Sequence, residues 1–105
     1  MPIAKDKEIL SIGQVARKLG IHEQTIRTYE RKGLIKPQRT GNQTRYFSKE
    51  DLAGIIVIIT LTQELGLNLA GVKILLNFAR KFNMSNDELI DFIEDHRDSL
   101  HLTTI

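Results

Sequence analysis

The sequence of 105 residues contains no cysteine and no long hydrophobic run. Without cysteine the chain can form no disulfide, no thiolate metal site, no cysteine nucleophile and no thiol-based sensor of redox state or mercury. The longest apolar stretch, residues 52–61, is far short of the roughly 20 residues that span a bilayer. The charged N-terminus lacks the apolar segment of a secretory signal. These absences predict a soluble, cytoplasmic protein.

Catalytic and metal-binding patterns are also missing from the sequence. The three histidines, His22, His96 and His101, are scattered, and the last two are five positions apart, which places them on different faces of a helix. The chain shows no glycine-rich phosphate loop, no Ser-His-Asp set and no candidate pair of buried carboxylates. The sequence therefore predicts no metal site, no cofactor and no enzymatic activity.

The charges are unevenly distributed, although the net charge is only +2. Residues 1–50 contain eleven Lys and Arg against five Asp and Glu, whereas residues 51–105 contain four against eight. A basic front half and an acidic back half suggest one end that faces a polyanion and another end with a different role. On charge alone, chance segregation of solvated side chains explains the asymmetry equally well.

Two short amphipathic helices are predicted after residues 1–10, which read as a polar arm with little structure. Ser11 is a good N-cap for the first helix, Gln14 completes a capping box, and Gly20 ends the helix. A second helix begins at about residue 22 and stops at Gly33. Two short helices joined by a tight turn are typical of a helix-turn-helix.

Residues 34–47 predict a small β-hairpin, or wing. Segments with β-branched and aromatic residues flank a polar middle, in which Gly41-Asn42 permits a turn with φ > 0. Pro37 restricts the first strand to an edge position because proline cannot donate a ladder hydrogen bond.

A third helix is predicted from Ser48 to about Leu65. Its isoleucine-rich middle, taken alone, resembles a buried strand, and periodicity cannot decide so short a run. Ser48 followed by Asp51 forms a capping pattern, and this favours a helix of about four turns.

Two more helices complete the chain. Asn68 caps a fourth helix that runs to about Phe82, and Ser85 with Glu88 opens a fifth that runs to about Leu100. The fifth helix has one apolar face and one acidic face.

Three motifs, in order, resemble the MerR family of transcription regulators. Residues 11–21 (SIGQVARKLGI) are similar to the family's first helix, residues 25–37 (TIRTYERKGLIKP) to its recognition helix and the start of its wing, and residues 45–52 (RYFSKEDL) to the end of the wing and the start of the third helix. Motifs in this order over about 65 residues are poorly explained by chance. Residues 65–73 (LGLNLAGVK) resemble the heat-shock repressor branch of the family.

The resemblance implies that the second helix lies in the major groove of DNA, with its N-terminal residues toward the base edges. Arg27 and Arg31, four positions apart, project from one side of that helix and can pair with guanine or hold phosphate. In the alternative interpretation they form a solvated face paired with Glu23 and Glu30. The residues of this helix expected to contact DNA are Gln24, Thr25, Arg27, Thr28, Tyr29 and Arg31.

Two of these positions carry a particular expectation. The Tyr29 hydroxyl can reach a phosphate while the ring packs on the core, and core packing alone is the alternative. Most MerR relatives have tyrosine at the position of Thr28, so the chain departs from the family pattern there, as the heat-shock branch also tends to do.

The wing and the last helix supply the remaining candidate residues. Arg39, Asn42, Arg45 and Tyr46 are expected to reach the sugar-phosphate backbone or the minor groove, and an ordinary soluble hairpin is the alternative. The MerR resemblance implies that the fifth helix pairs with its copy in an antiparallel coiled coil, the alternative being that it folds back on its own domain. The residues expected at that dimer face are Leu89, Phe92, Ile93, His96 and Leu100.

The sequence thus predicts a mainly α, winged helix-turn-helix protein with a flexible arm (1–10), a DNA-binding domain (11–82) and a C-terminal dimerisation helix with a tail (83–105). The expected function is a sequence-specific transcription regulator that binds an inverted repeat in double-stranded DNA as a homodimer. Similarity to the heat-shock branch implies repression of chaperone genes with an Hsp70-class chaperone as a possible co-repressor. The rival functions are an excisionase-like or architectural DNA-binding module, and a protein-interaction adaptor on the same fold.

Overall fold

The computed structural model describes the backbone of residues 9–102 and the side chains of residues 9–96. The chain divides into two compact units, one that ends at Ile56 and one that begins at Val57. The elements in order are α1 (Ile12–Leu19), α2 (Glu23–Arg31), β1 (Gln38–Arg39), β2 (Arg45–Tyr46), α3 (Lys49–Ile59), a π-helical segment (Thr60–Glu64), α4 (Leu69–Lys81) and α5 (Asn86–Leu102). This mainly helical architecture with one small hairpin confirms the predicted fold class.

The first unit begins with the predicted helix-turn-helix. The Ser11 hydroxyl accepts a hydrogen bond from the Gln14 backbone, and the Gln14 side chain accepts one from the Ser11 backbone, which confirms the capping box. Gly20 ends α1 with φ of 69°, a left-handed conformation that glycine adopts without steric cost. Val15 of α1 and Ile26 of α2 are completely buried, so the two helices share one apolar core.

The wing is a two-stranded antiparallel hairpin in which Gln38 pairs with Tyr46 and Arg39 pairs with Arg45. A turn closes it through a hydrogen bond of 2.9 Å from the Gln43 nitrogen to the Thr40 carbonyl. The positive φ lies at Gln43, with a value of 64°. The expectation that Gly41-Asn42 would carry the positive φ was therefore wrong, because the loop places its left-handed residue one position later, after the turn.

The N-terminal arm and the wing meet at one point. Leu10 and Phe47 form an isolated antiparallel bridge, with hydrogen bonds of 2.9 and 2.8 Å between their backbones. The sequence predicts that Leu10 belongs to the polar arm with little structure, but this bridge attaches it to the first unit, and Phe47 is completely buried. The rest of the predicted arm, residues 1–8, lies outside the described residues.

The isoleucine-rich segment is helical, as its capping pattern predicted. The Ser48 hydroxyl and the Asp51 carboxylate accept reciprocal backbone hydrogen bonds of 3.2 and 2.9 Å at the start of α3. After Ile59 the helix widens to π geometry until Glu64. The Thr62 hydroxyl donates back to the carbonyl of Ile58, a local bond that is typical of threonine in helices and accompanies the change in winding.

The second unit contains α4 and α5 with their predicted caps. The Asn68 side chain accepts from the Gly71 nitrogen at 2.8 Å, and Ser85 and Glu88 form a reciprocal capping box. The apolar side chains buried in this unit are Val57, Ile58, Leu61, Val72, Leu76, Ala79, Leu89 and Ile93. Among the helices of the described residues, none has the length and apolar character that crossing a membrane requires.

Candidate nucleic-acid interface

The helix α2 has one buried face and one polar face. Ile26 and Tyr29 are 0% and 5% exposed, and they anchor the helix in the core of the first unit. Glu23 lies in the first turn, where a carboxylate is favoured by the helix dipole, and no side chain caps the helix at His22. The opposite face carries Gln24 and the arginines of the helix. The burial of two large side chains therefore fixes which face is presented to solvent.

The register of the wing places two arginines opposite each other, and a carboxylate of α2 offsets their repulsion. Arg39 and Arg45 are directly opposite each other across the hairpin, and like charges in that position repel. The carboxylate of Glu30, near the end of α2, accepts a hydrogen bond of 2.7 Å from Arg39 Nη2 and one of 2.5 Å from Arg45 Nε. One carboxylate thus offsets the repulsion and connects the wing to α2.

The protonation of Glu30 follows from these contacts. Partial burial by itself raises the pKa of the Glu30 carboxyl, but the hydrogen bonds and charges of Arg45 and Arg39 together outweigh it, so the pKa lies below its ordinary value of 4.5. Glu30 is therefore ionised at neutral pH. The side chains of Glu30 and Arg45 are 21% and 25% exposed, so solvent screens this bridge less than it screens a pair at the open surface.

Helix α2 and the wing together enclose an open groove of about 420 Å³. Its lining consists of Gln24, Arg27, Glu30, Arg31, Arg39 and Arg45. Four guanidinium groups against one carboxylate give the groove a positive charge. Arginine binds phosphate and the guanine edge through the same planar set of donors, so the groove is suited to nucleic acid.

Arg27 is only weakly held by its protein partner. Its Nη2 bonds Glu23 at 3.1 Å, and the two side chains are 40% and 45% exposed. An exposed pair four residues apart in a helix contributes about 0.3–0.5 kcal/mol, whereas a bidentate arginine–guanine pair contributes about 1–3 kcal/mol. The comparison favours release of Arg27 from Glu23 when a base edge is offered.

Arg31 and Arg45 each engage one side-chain nitrogen within the protein, but the two bonds differ in length and partner. Arg31 makes one long contact of 3.4 Å, from Nη2 to the Thr28 hydroxyl. Arg45 uses Nε for Glu30, and its two η nitrogens have no partner among residues 9–96. Arg45 is thus oriented by one bond while retaining donors for a phosphate oxygen.

The groove brings together five of the ten residues predicted to contact DNA, and the other five lie elsewhere. Tyr29 is buried, which agrees with the core-packing alternative for its ring. The Thr28 hydroxyl donates to the Gln24 carbonyl at 2.9 Å, so part of its hydrogen-bonding capacity is used within its own helix. Thr25 and Tyr46 are half-buried, and Asn42 is exposed in the turn of the wing. Their contacts with DNA remain predictions.

The sequence suggests Glu30 only as an ion-pair partner, together with Glu23, for Arg27 and Arg31. In the structure Glu30 instead bonds the two wing arginines, nine and fifteen residues away along the chain. The sequence did not indicate this role, because it depends on the hairpin register that sets Arg39 opposite Arg45 and so favours an acidic neighbour.

The predicted dimer face of α5 is divided in the structure. Leu89 and Ile93 are each 3% exposed, so they already belong to the core of the single chain. Phe92 is 51% exposed, and its ring stacks on the exposed His96 with centroids 4.2 Å apart. The side chain of Leu100 lies outside the described residues. Phe92 and His96 are therefore the described members of this face that a partner can reach.

Comparison with known proteins agrees with this geometry. Residues 10–79 match the model of the MerR HTH family of regulatory proteins. The chain is 37% identical over 71 residues to a protein of Streptomyces coelicolor named as the heat shock protein HspR, a match that covers 68% of this chain and 47% of the relative. It is 34% identical over 82 residues to slr0701, an HTH-type transcriptional regulator of Synechocystis, covering 77% and 59%.

A solved structure shares the fold. The crystal structure of HiNmlR, described as a MerR family regulator that lacks the sensor domain and is bound to promoter DNA, superposes with a TM-score of 0.68 at 22% identity. The match covers 92% of this chain and 73% of that one. The chain spans about half the length of the Streptomyces and Synechocystis relatives.

Proposed function

The chain belongs to the MerR family of helix-turn-helix regulatory proteins, and we propose that it is a sequence-specific DNA-binding transcription regulator that binds an inverted repeat as a homodimer. The observation that carries this proposal is the groove between α2 and the wing, where four arginines from two elements converge. Membership of a family of regulatory proteins agrees with the expectation that the chain is not an enzyme.

In this proposal the two elements divide the work of recognition. Helix α2 enters the major groove, and Gln24 and Arg27, near its N-terminal end, contact base edges. The wing lies on the sugar-phosphate backbone and binds it through Arg39 and Arg45. Backbone contacts fix the register of the protein on the duplex, and base contacts supply the specificity.

Glu30 links the helix that contacts the bases to the wing that contacts the sugar-phosphate backbone. Because it bonds both wing arginines, the wing and α2 are presented to DNA as one preorganised surface. Preorganisation reduces the ordering cost of binding. A carboxylate near phosphate is unfavourable on charge alone, but here it neutralises only one of four guanidinium charges.

We also propose that the regulated genes belong to the heat-shock response and that the protein represses them. The support is the resemblance of residues 65–73 to the heat-shock repressor branch and the name of the Streptomyces relative. An Hsp70-class chaperone as co-repressor follows from the same resemblance.

Selection of bound sequences from a random pool of duplex DNA tests the regulator proposal. The expected result is an inverted repeat with two half-sites that matches sequences upstream of chaperone genes in the source genome. An enriched inverted repeat without such matches would contradict the heat-shock role alone. No enrichment at all would instead favour an architectural DNA-binding module or an adaptor.

A further inference from the structure

The side chain of Thr28 has its hydroxyl engaged within α2. The hydroxyl donates to the carbonyl of Gln24, one turn earlier, at 2.9 Å, and it accepts a longer contact of 3.4 Å from Nη2 of Arg31. A threonine hydroxyl has one proton to donate. Because the helix backbone takes that proton, Thr28 has no donor left for an acceptor on a base edge or for a phosphate oxygen.

Thr28 lies beside the residues of α2 that line the groove. Successive residues of a helix are about 100° apart, so Thr28 is about 40° around the axis from Gln24 and about 60° from Arg31. Both of these neighbours line the groove. Thr28 itself is half-buried, whereas Ile26 and Tyr29 are buried in the core. A surface that meets base edges through Gln24 therefore includes Thr28.

The bond to Gln24 also fixes the position of the γ-methyl group of Thr28. Threonine carries two heavy atoms on Cβ, so χ1 has few allowed values in a helix, and the bond to the carbonyl four residues earlier selects among them. Once the hydroxyl is directed to the backbone, the methyl group is held in one orientation. A group that is already oriented loses little conformational entropy when a partner covers it.

We infer that Thr28 is a specificity-determining residue, which selects a thymine in each half-site through contact between its γ-methyl and the C5-methyl of the base. In the major groove thymine is the base that presents a methyl group, and a threonine methyl is one of the apolar groups that contact it. Cytosine has only a hydrogen atom at the same position of the ring. The inference rests on the proposed function, because it requires α2 to lie in the major groove.

Deletion of the two methyl groups, singly and together, tests the contact directly. The selected operator is synthesised with each thymine in turn replaced by deoxyuridine in both half-sites, which removes only the C5-methyl. Wild type and Thr28→Ser are titrated against this set by fluorescence anisotropy. At one thymine position wild type should lose affinity by about fourfold for each half-site, the factor that one buried methyl contributes. Thr28→Ser should bind the unmodified operator more weakly by a similar factor and be insensitive to deoxyuridine at that position.

Thr28→Val separates the methyl contact from the roles that the hydroxyl can have. Valine keeps a γ-methyl but has no oxygen, so it cannot accept a hydrogen bond from adenine, from cytosine or from Arg31. The variant should keep the wild-type sensitivity to deoxyuridine. Loss of that sensitivity would overturn the inference, because it would assign the role of Thr28 to its hydroxyl, through a base contact or through the positioning of Arg31.

Thr25→Ser is the matched control, because it deletes the same group from the same helix three residues earlier. It should keep the wild-type sensitivity at the thymine that Thr28 contacts, and an equal loss with both variants would overturn the assignment to Thr28. An enriched operator in which no thymine depends on residue 28 would also overturn the inference while leaving the proposed function in place. Absence of any enriched operator would contradict the proposed function and, with it, the inference.

Discussion

Arg39 and Arg45 lie directly opposite each other in the wing, and each donates to a different oxygen of the Glu30 carboxylate. This arrangement converts an unfavourable cross-strand pair into a bridge between the wing and the recognition helix. It also sets the orientation of two of the four arginines that line the groove. Under the proposed function, Glu30 therefore sets how the groove is presented to DNA.

Glu30→Gln should weaken binding to the specific operator although it removes a negative charge from the groove. The neutral amide can accept only one strong bond and leaves Arg39 and Arg45 to repel each other, so the wing loses its orientation. Specific affinity should fall about tenfold, while affinity for scrambled DNA stays level or rises. Fluorescence anisotropy against both duplexes measures this.

The matched control for that variant is Glu23→Gln. It removes the same charge from the same helix but breaks only the exposed pair with Arg27. Its specific affinity should stay level or rise. If the two variants behave alike, the effect at position 30 is one of charge and the bridge has no organising role.

Acid should remove the stabilisation that Glu30 provides. The pKa of Glu30 is lowered in the folded chain, so the bridge stabilises the fold fully above the ordinary value of 4.5 and is lost as the pH falls through the lower, folded value. The free energy of unfolding of wild type should exceed that of Glu30→Gln by roughly 1–2 kcal/mol near pH 7.

Urea unfolding of both proteins across a pH series measures that difference. It should stay constant from neutral pH to about pH 5 and close at more acid values. A difference that closes near pH 6.5, or one that persists in full far below pH 4, would assign the effect to another group.

Gln43→Gly should stabilise the protein. Gln43 has φ of 64°, a conformation that costs a residue with a side chain about 1 kcal/mol and costs glycine almost nothing. Part of the gain is offset by the greater freedom of glycine in the unfolded chain, so the net gain should be roughly 0.5 kcal/mol. Thermal unfolding checks it, with Asn42→Gly as control.

The control substitution should destabilise slightly. Asn42 has no positive φ, so glycine there adds only unfolded-state entropy. Equal destabilisation by both substitutions would mean that Gln43 is not left-handed in solution.

The spacing of half-sites gives a geometric prediction for the proposed dimer. Two recognition helices related by two-fold symmetry require half-sites on one face of the duplex, about one helical turn or a multiple apart. An insertion of five base pairs between the half-sites rotates one of them to the opposite face. Electrophoretic mobility shift should show loss of the dimer complex, and a further five base pairs should partly restore it. Unchanged binding to the five-base-pair insert would indicate that the subunits bind independently.

Local signals predicted the helices well because each signal acts over four residues or fewer. Ser11, Ser48 and Ser85 each precede their helix with a partner three residues on, and all three capping boxes are present. The Ser48–Asp51 capping pattern also predicted correctly that α3 is a helix, although its isoleucine content alone favoured a strand. The π winding after Ile59 had no such local signature.

The parts that were missed depend on pairing between distant residues. The role of Glu30 follows from a hairpin register that the sequence did not specify, and the positive φ at Gln43 follows from the loop type that this register selects. Whether Leu89 and Ile93 face the core or a partner cannot be decided from an apolar stripe, since both uses require the same spacing. The structure places them in the core of the single chain.

The central claim is that α2 reads bases while the wing holds the backbone, and one set of titrations compares the two directly. Binding of wild type, Arg27→Ala and Arg45→Ala to selected and scrambled duplexes is measured by fluorescence anisotropy at several salt concentrations. Arg27→Ala should weaken specific binding by about 1–3 kcal/mol and leave scrambled DNA nearly unaffected. Arg45→Ala should weaken both and reduce the salt slope by about one unit for each phosphate that a subunit no longer neutralises. Equal decreases in affinity for both duplexes with Arg27→Ala would make Arg27 a phosphate-binding residue and contradict the division of roles.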